Sequence, residues 1–404
     1  NGDATPILPL ADGTSSKIAV LGPDRKFTLF TSTVPKTCLS DPKYDVNDPR
    51  TCYFHFATDA ALGDRGSSRV NGDPAKTVGP FQGIKEAAGS SRTVTSGNTP
   101  DAVADADTIV VVVGYTAGDE GEEYAISEGG DRFSLDLPAA QAESGGLSQN
   151  EFVNKVLDRG KPTIIVVNSG SIVNLPWLSH TNTKQATIWA GYGGLRVGAA
   201  LGQLIFGKAN FSGKMPMAWP TQAEQDKLPF KDAEKSTHMG YFFGYREYDR
   251  RKSINQAPAM VFPFGHGMSY SKFEYSNVQT LCQGPVAKDA IFSVKVDVKN
   301  TAGPAGDEVV MLFIKPPPKP DGVLGDRPIK ELRSFARVSV PKGGMTTAEL
   351  PIRIRDLRRW APDAPAETST TGKWVVDPGT YTVLIGKDAD DAEASGLSTT
   401  FTIN

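Results

Sequence analysis

The chain has 404 residues, 39% of them hydrophobic and 22% charged, with 41 Gly, 29 Pro and a formal net charge of −3. That length suggests two or three domains, and a near-neutral balance without Lys/Arg blocks argues against a nucleic-acid partner. The longest apolar run, residues 109–113, falls far short of the about 20 residues a membrane-spanning helix needs, so no membrane segment is expected.

The first element is an apolar run at 17–23 that ends in Gly22-Pro23, the pattern of a buried strand followed by a turn. A second strand is predicted at 108–114, where an unbroken β-branched run implies cover on both faces. Residues 151–157 place Phe152, Val153, Val156 and Leu157 at helical spacing, and a third strand follows at 162–168. A fourth strand at 186–190 precedes a helix through Val197, Ala200, Leu201, Leu204 and Ile205. Strands alternating with helices indicate parallel βαβ units, hence an α/β domain over 1–225. Residues 226–284 read as an aromatic, loop-rich connection. From 285 to 404 the pattern changes to short alternating strands near 291–299, 309–314, 333–340, 346–354, 374–376, 380–385 and 398–403. Turn signals separate them, and the set predicts an antiparallel β-sandwich of the immunoglobulin or fibronectin kind.

Several common α/β activities lack their motifs. Leu21-Gly-Pro-Asp24 stands where a dinucleotide-binding glycine fingerprint would lie, and Pro23 has no N–H to offer a phosphate. Gly160-Lys161 is followed by Pro162 rather than Ser or Thr, so there is no P-loop, and no G-x-S-x-G elbow occurs. The four histidines have no partner at metal-ligand spacing, so neither a metal site nor a cofactor is expected. Cys38, Cys52 and Cys282 cannot build a disulfide framework; Cys38 and Cys52 enclose a short loop and are read either as a pair in an oxidising compartment or as two thiols.

The most informative local feature is Asp-Glu-Gly-Glu-Glu-Tyr at 119–124, just beyond the predicted strand 108–114. Open α/β sheets place ligand-binding loops beyond the carboxyl ends of their strands. Three glutamates within four positions repel one another, which raises the pKa of at least one. A raised carboxyl pKa suits a general acid working near neutral pH. A solvated acidic loop without chemistry is the other reading of the same residues.

The acidic sequence, followed by Gly-Gly-Asp-Arg-Phe-Ser-Leu-Asp-Leu-Pro at 129–138, resembles the acid/base loop of glycoside hydrolase family 3. The Asn-Ser-Gly at 168–170, the Ala-Gly-Tyr-Gly-Gly at 190–194 and the turn at 204–216 are similar to later signatures of that family. So are Phe-Gly-Tyr-Arg-Glu-Tyr-Asp at 243–249 and Phe-Pro-Phe-Gly-His-Gly-Met-Ser-Tyr at 262–270. The resemblance implies a layered α/β sandwich domain with a mostly parallel sheet, followed by a fibronectin type III-like antiparallel β-sandwich. It implies a retaining exo-acting β-glycosidase, β-glucosidase-like, with β-xylosides as the alternative substrate.

Within this resemblance Glu122 is the general acid/base, with Glu120, Glu123 and Glu128 as alternatives. The Gly63–Val70 stretch, with Arg65, Ser67 and Ser68, reads as a small-residue turn after a strand, with a border of the sugar site as the other reading. The family's nucleophile is an Asp in an S-D-W context on an N-terminal barrel. No S-D-W occurs here, so a barrel domain or subunit is the implied partner and a β-linked oligosaccharide or glycoside the implied ligand. The start at Asn1 suggests a processed or excised product, and a secreted or periplasmic location is expected. A binding or scaffolding protein without hydrolysis is the rival reading. Asp131 and Arg132 read as a structural ion pair, with sugar contact the alternative. His266 reads as a packing or hydrogen-bonding residue, and Trp177, Trp189, Tyr241 and Tyr245 as packing aromatics, with stacking on sugar rings the alternative. Asn210-Phe-Ser212 is a formal glycosylation sequon that coincides with a family turn.

Overall fold

The computed structural model describes residues 6–10, 13, 15–28, 51–60, 73–103, 105–116, 119, 134–139, 145–225, 227, 242–282, 285–319, 327–363 and 371–404. It divides into two compact units, Asn1–Ala209 and Asn210–Asn404.

In the first unit the elements run β1 (Lys17–Leu21), β2 (Asp24–Thr28), β3 (Thr51–His55), α1 (Pro80–Ala88), β4 (Thr93–Gly97) and β5 (Thr108–Gly114). They continue with α2 (Gln149–Leu157), β6 (Thr163–Asn168), β7 (Gln185–Trp189) and α3 (Val197–Ile205). Five strands form a sheet of order β4-β1-β5-β6-β7, every pair parallel, while β2 and β3 pair as a separate antiparallel ribbon. All seven residues of β5 and all six of β6 are buried, as their unbroken apolar runs predict for central strands.

The helix α2 starts at a capping box. Ser148 accepts from the Glu151 N–H, and Glu151 accepts in return from the Ser148 N–H. Its Phe152, Val153, Val156 and Leu157 are fully buried. Helices α1 and α3 meet through glycines: a Cβ on Gly83 would fall 2.0 Å from the Gly198 carbonyl, and one on Gly198 would fall 1.8 Å from the Gly79 oxygen. Gly83 of α1 and Gly198 and Gly202 within α3 are therefore the residues that let the two helices pack closely. The helix α1 and the edge strand β4 were not expected from the sequence. Only Val94 is buried in β4, so its apolar signal is a single residue.

The second unit opens with β8 (Trp219–Pro220), α4 (Gln222–Gln225), α5 (Tyr245–Ser253) and β9 (Met260–Phe262). The sandwich strands are β10 (Lys272–Thr280), β11 (Ile291–Ala302), β12 (Gly306–Lys315), β13 (Glu331–Val340), β14 (Met345–Arg353), β17 (Gly379–Gly386) and β18 (Ser398–Ile403). A hairpin of β15 (Arg359–Pro362) and β16 (Gly372–Val375) precedes β17, and the short α6 (Asp391–Ala394) follows it. One sheet has the order β10-β11-β14 and the other β13-β12-β17-β18, all pairs antiparallel. Val294, Val296 and Val298 of β11, with Leu350 and Ile352 of β14, face Val310, Leu312 and Ile314 of β12 and Val383 and Ile385 of β17 in one core. The Tyr381 hydroxyl donates to the Asp377 carbonyl at 2.8 Å, a tyrosine corner like that of immunoglobulin-type sandwiches.

The opposite face of β12 is also covered. Met311 and Phe313 pack with Ala389 and Ala392 and against Tyr245 and Phe264, which explains why the β12 sequence is apolar at consecutive positions. Sequence reading expected loop over 226–284, yet α5 and β10 lie there. The helix is highly charged and is fixed by ion pairs rather than an apolar stripe. Lys330, fully buried, reaches Asp249 at 2.8 Å and Glu393 at 3.2 Å, while Arg246 pairs with Glu331 and the Leu332 N–H donates to the Tyr245 hydroxyl. Burial raises the Asp249 pKa, and the Lys330 ammonium opposes that rise. In β10 the alternation is broken by a register shift between Ser276 and Gln279, with Asn277 at φ 54.

Candidate functional site

The order of the parallel sheet fixes where a site can form. From β1 the chain first adds β4 on one side, then returns to add β5, β6 and β7 on the other. The crevice at the carboxyl ends of β1 and β5 is thus the topological switch point, where open α/β sheets bind their ligands. The acidic sequence at 119–124 follows β5 directly.

Two described clusters stand at this edge. After β1, the buried Asp24 carboxylate engages His55 Nδ1 at 2.7 Å through Oδ1 and accepts from Asn98 Nδ2 at 2.9 Å through Oδ2. After β5, the chain is tied down residue by residue. Both the Thr116 N–H and its hydroxyl donate to Asp119 Oδ2, at 2.9 and 2.8 Å. The buried Tyr115 sends its hydroxyl to the Asp136 carbonyl at 2.7 Å, and its N–H donates to the Asn168 carbonyl at 2.9 Å.

Gln149 holds the same place from the other side. The Gly114 N–H donates to Gln149 Oε1 at 2.8 Å, and Gln149 Nε2 donates to the carbonyls of Gly114 and Pro138, each at 2.9 Å. Asn174 adds Nδ2 to Asp136 Oδ1 at 2.7 Å, and its N–H donates to the Leu135 carbonyl at 2.9 Å. The entry and exit of the stretch between residues 114 and 138 are therefore bound into one frame. Close by, the Asn168 side chain is buried with neither amide atom partnered among the described residues, and the Tyr192 hydroxyl after β7 is buried in the same condition. Unsatisfied buried polar groups of this kind are rare and call for an explanation.

The residues singled out from sequence fall differently. Glu122, Glu120, Glu123 and Glu128, the presumed sugar-bordering Arg65, Ser67 and Ser68, the Asp131–Arg132 pair, Tyr241 and Cys38 all lie outside the described residues. The other aromatics pack as expected: Trp177 is fully buried with Nε1 donating to Thr187 Oγ1, and Trp189 Nε1 donates to the Ser169 carbonyl. His266 stacks on Phe262 at 4.6 Å, and burial lowers its pKa. Asn210 is committed to its turn, accepting from Ser269 Oγ and the Tyr270 N–H and donating to Ser271 Oγ, so the sequon sits in a packed corner. Sequence reasoning missed Gln149, Tyr115, Asn168 and the Asp24–His55 pair. For Gln149 one signal was available, the Ser148/Glu151 capping box that fixes the helix start on which it sits.

Comparison with known proteins agrees with this architecture. Residues 2–270 match the glycosyl hydrolase family 3 C-terminal domain, and residues 308–389 match a fibronectin type III-like domain. Probable beta-glucosidase I of Aspergillus clavatus is 32% identical over 299 residues, covering 72% of this chain and 32% of that protein. The crystal structure of beta-D-glucoside glucohydrolase from Trichoderma reesei aligns with a TM-score of 0.71 at 25% identity, covering 98% of this chain and 53% of that one. Beta-glucosidase from Kluyveromyces marxianus, solved in complex with glucose, aligns with a TM-score of 0.58 at 30% identity over 76% of this chain and 32% of its own. The chain spans about a third of the length of the curated relatives it matches. A match over more than half of its residues, on the expected pair of α/β and sandwich folds, settles the kinship: the chain belongs to glycosyl hydrolase family 3.

Proposed function

We propose that this chain serves the hydrolysis of terminal β-linked glucosyl units with retention of configuration, and that Glu122 is its general acid/base. Such chemistry needs two carboxyl groups about 5–5.5 Å apart. The Glu122 carboxylic acid gives its proton to the leaving glycosidic oxygen while an Asp, from a barrel domain outside this chain, attacks the anomeric carbon. The Glu122 carboxylate then takes a proton from the water that cleaves the glycosyl-enzyme. The observation that carries this reading is the tied frame at the carboxyl end of β5, from which the acidic sequence departs at the switch point of the sheet.

The crowding of Glu120, Glu122 and Glu123 supports the choice of an acid that keeps its proton near neutral pH. The reading also places the protein in a secreted or periplasmic compartment, where Cys38 and Cys52 can pair.

The test uses the chain assembled with a nucleophile-bearing barrel domain. Glu122→Gln should lower kcat/KM on cellobiose by about 10²–10⁴-fold, the usual contribution of general acid catalysis. On 2,4-dinitrophenyl β-glucoside, whose leaving group needs no proton, kcat/KM should stay close to wild type. An equal loss on both substrates would refute the assignment. Glycan binding with no turnover from a stable assembly would favour the binding-protein reading, and faster turnover of the matched β-xyloside would move the substrate to that sugar.

A further inference from the structure

We propose that Gln149 is a positioning residue for the general acid: its side-chain amide fixes Gly114 relative to Pro138, the residues that flank the acid-bearing sequence. The inference rests on the reading of Glu122 given above.

The sheet has a gap beside the end of β5. The pairing of β1 with β5 ends at Leu21 opposite Val111, whereas β5 runs on to Gly114 beside Asn168 of β6. On the β6 side the ladder is made by Tyr115, whose N–H donates to the Asn168 carbonyl. In a parallel strand, successive residues turn their N–H and C=O to opposite sides. The N–H and C=O of Gly114 therefore face the side that β1 has vacated. Left there, two buried backbone groups would go unpaired and carry the full cost of their desolvation.

Gln149 fills this vacancy. Its amide, fully buried, takes the Gly114 N–H on Oε1 and gives Nε2 to the Gly114 carbonyl, as a neighbouring strand would. The second Nε2 hydrogen goes to Pro138, which lies after the acidic sequence. One side chain thus joins residues 114 and 138, and in sequence Glu120, Glu122, Glu123 and Glu128 all lie between them. Gln149 is itself held, since it is the first residue of α2 behind the Ser148 cap. A Met of similar size fills the space but makes none of these bonds. A Glu keeps the acceptor for Gly114 and, when ionised, loses both donors.

The experiment compares Gln149→Met and Gln149→Glu with wild type on two substrates and by amide hydrogen exchange. In the chain assembled with a barrel domain, Gln149→Met should lose on the order of 10–100-fold in kcat/KM on cellobiose, the scale set by a misplaced catalytic group. It should lose no more than about 3-fold on 2,4-dinitrophenyl β-glucoside, because that substrate bypasses the acid. Gln149→Glu should fall between wild type and Met.

In the 404-residue chain alone, the Gly114 amide should exchange faster in Gln149→Met while the amides of α2 and β6 keep their protection. Equal loss on both substrates would overturn the proposal, as would no loss or unchanged exchange at Gly114. Glu122→Gln run alongside separates the failures: without the leaving-group split in that variant, the acid assignment has failed. With the split there and none in Gln149→Met, the positioning role has failed. If the Met variant does not fold, the Glu variant decides by the same two readouts.

Discussion

Replacing Gly114 by alanine tests the frame at its tightest point. Gly114 has φ +150, and an added Cβ would lie 2.0 Å from the Asn168 carbonyl oxygen, 2.7 Å from its carbon and 2.8 Å from its Cβ. Two of those neighbours are backbone of a central strand, so no rotamer change relieves the clash. Ordinary contact distances would require β5 and β6 to part by about 1–1.5 Å there. The conformation itself costs an L residue about 1–3 kcal/mol, overpacking about the same, and strained ladder and Gln149 bonds about 1 kcal/mol more. The expected loss is about 3–7 kcal/mol.

Gly160→Ala is the control, because Gly160 has φ +67 with nothing within 4 Å of the added Cβ, so only the backbone term applies. Urea denaturation of the chain, followed by the Trp177 and Trp189 emission of the first unit, measures both variants. If Gly114→Ala costs no more than Gly160→Ala, the close approach of β5 and β6 at this point is wrong, and the frame around Gln149 with it.

Other outcomes follow from the same structure. Lys330→Met strands the buried Asp249 carboxylate beside Glu393 and should cost about 3–5 kcal/mol, or about 6–20 °C in the Tm of a unit of this size. Adding Asp249→Leu should recover most of it, as native-state exchange of the β12 and β17 amides would show. Glu224 is pushed down to about 2 by Arg251 and Lys227. A depressed carboxyl stabilises fully above its unfolded pKa of about 4.3, and this share is lost as pH falls through 2. The second unit should therefore weaken on acid titration below about pH 4, less steeply in Glu224→Gln, by denaturation at stepped pH. Asn168→Leu removes two buried polar atoms that have no partner among the described residues, and should leave stability equal or raise it by about 1 kcal/mol. A fall in turnover alongside that gain, read by thermal unfolding and cellobiose hydrolysis, would mark Asn168 as retained for the site.

Much of the first unit was legible because burial on both faces writes itself into sequence. The strand predicted at 108–114 is observed at Thr108–Gly114, and the helix through Val197 is Val197–Ile205. The sandwich was legible for the opposite reason, its strands alternating between a dry and a wet face. What escaped was the glycine-packed α1, the edge strand β4 with its single buried residue, and structure held by polar contacts. The helix α5 reads Tyr-Arg-Glu-Tyr-Asp-Arg-Arg-Lys-Ser and buries only Asp249, so hydrophobic periodicity is silent there.

The site divides in the same way. A crowd of glutamates after a buried strand is a visible signal, whereas for Gln149 the capping box marks only the helix start and not its three hydrogen bonds. The unequal lengths of β1 and β5, which create the need for it, exist only once the strands are paired.

The central claim is that Glu122 gives and takes the proton in a retaining hydrolysis, and azide tests it most directly. In Glu122→Ala, assembled with the barrel and loaded with 2,4-dinitrophenyl β-glucoside, the glycosyl-enzyme should form and then stall for want of a base. Azide needs none, so the account predicts faster turnover with added azide and β-glucosyl azide as the product, identified by its anomeric proton coupling. Turnover unchanged by azide, or a product of α configuration, would contradict it.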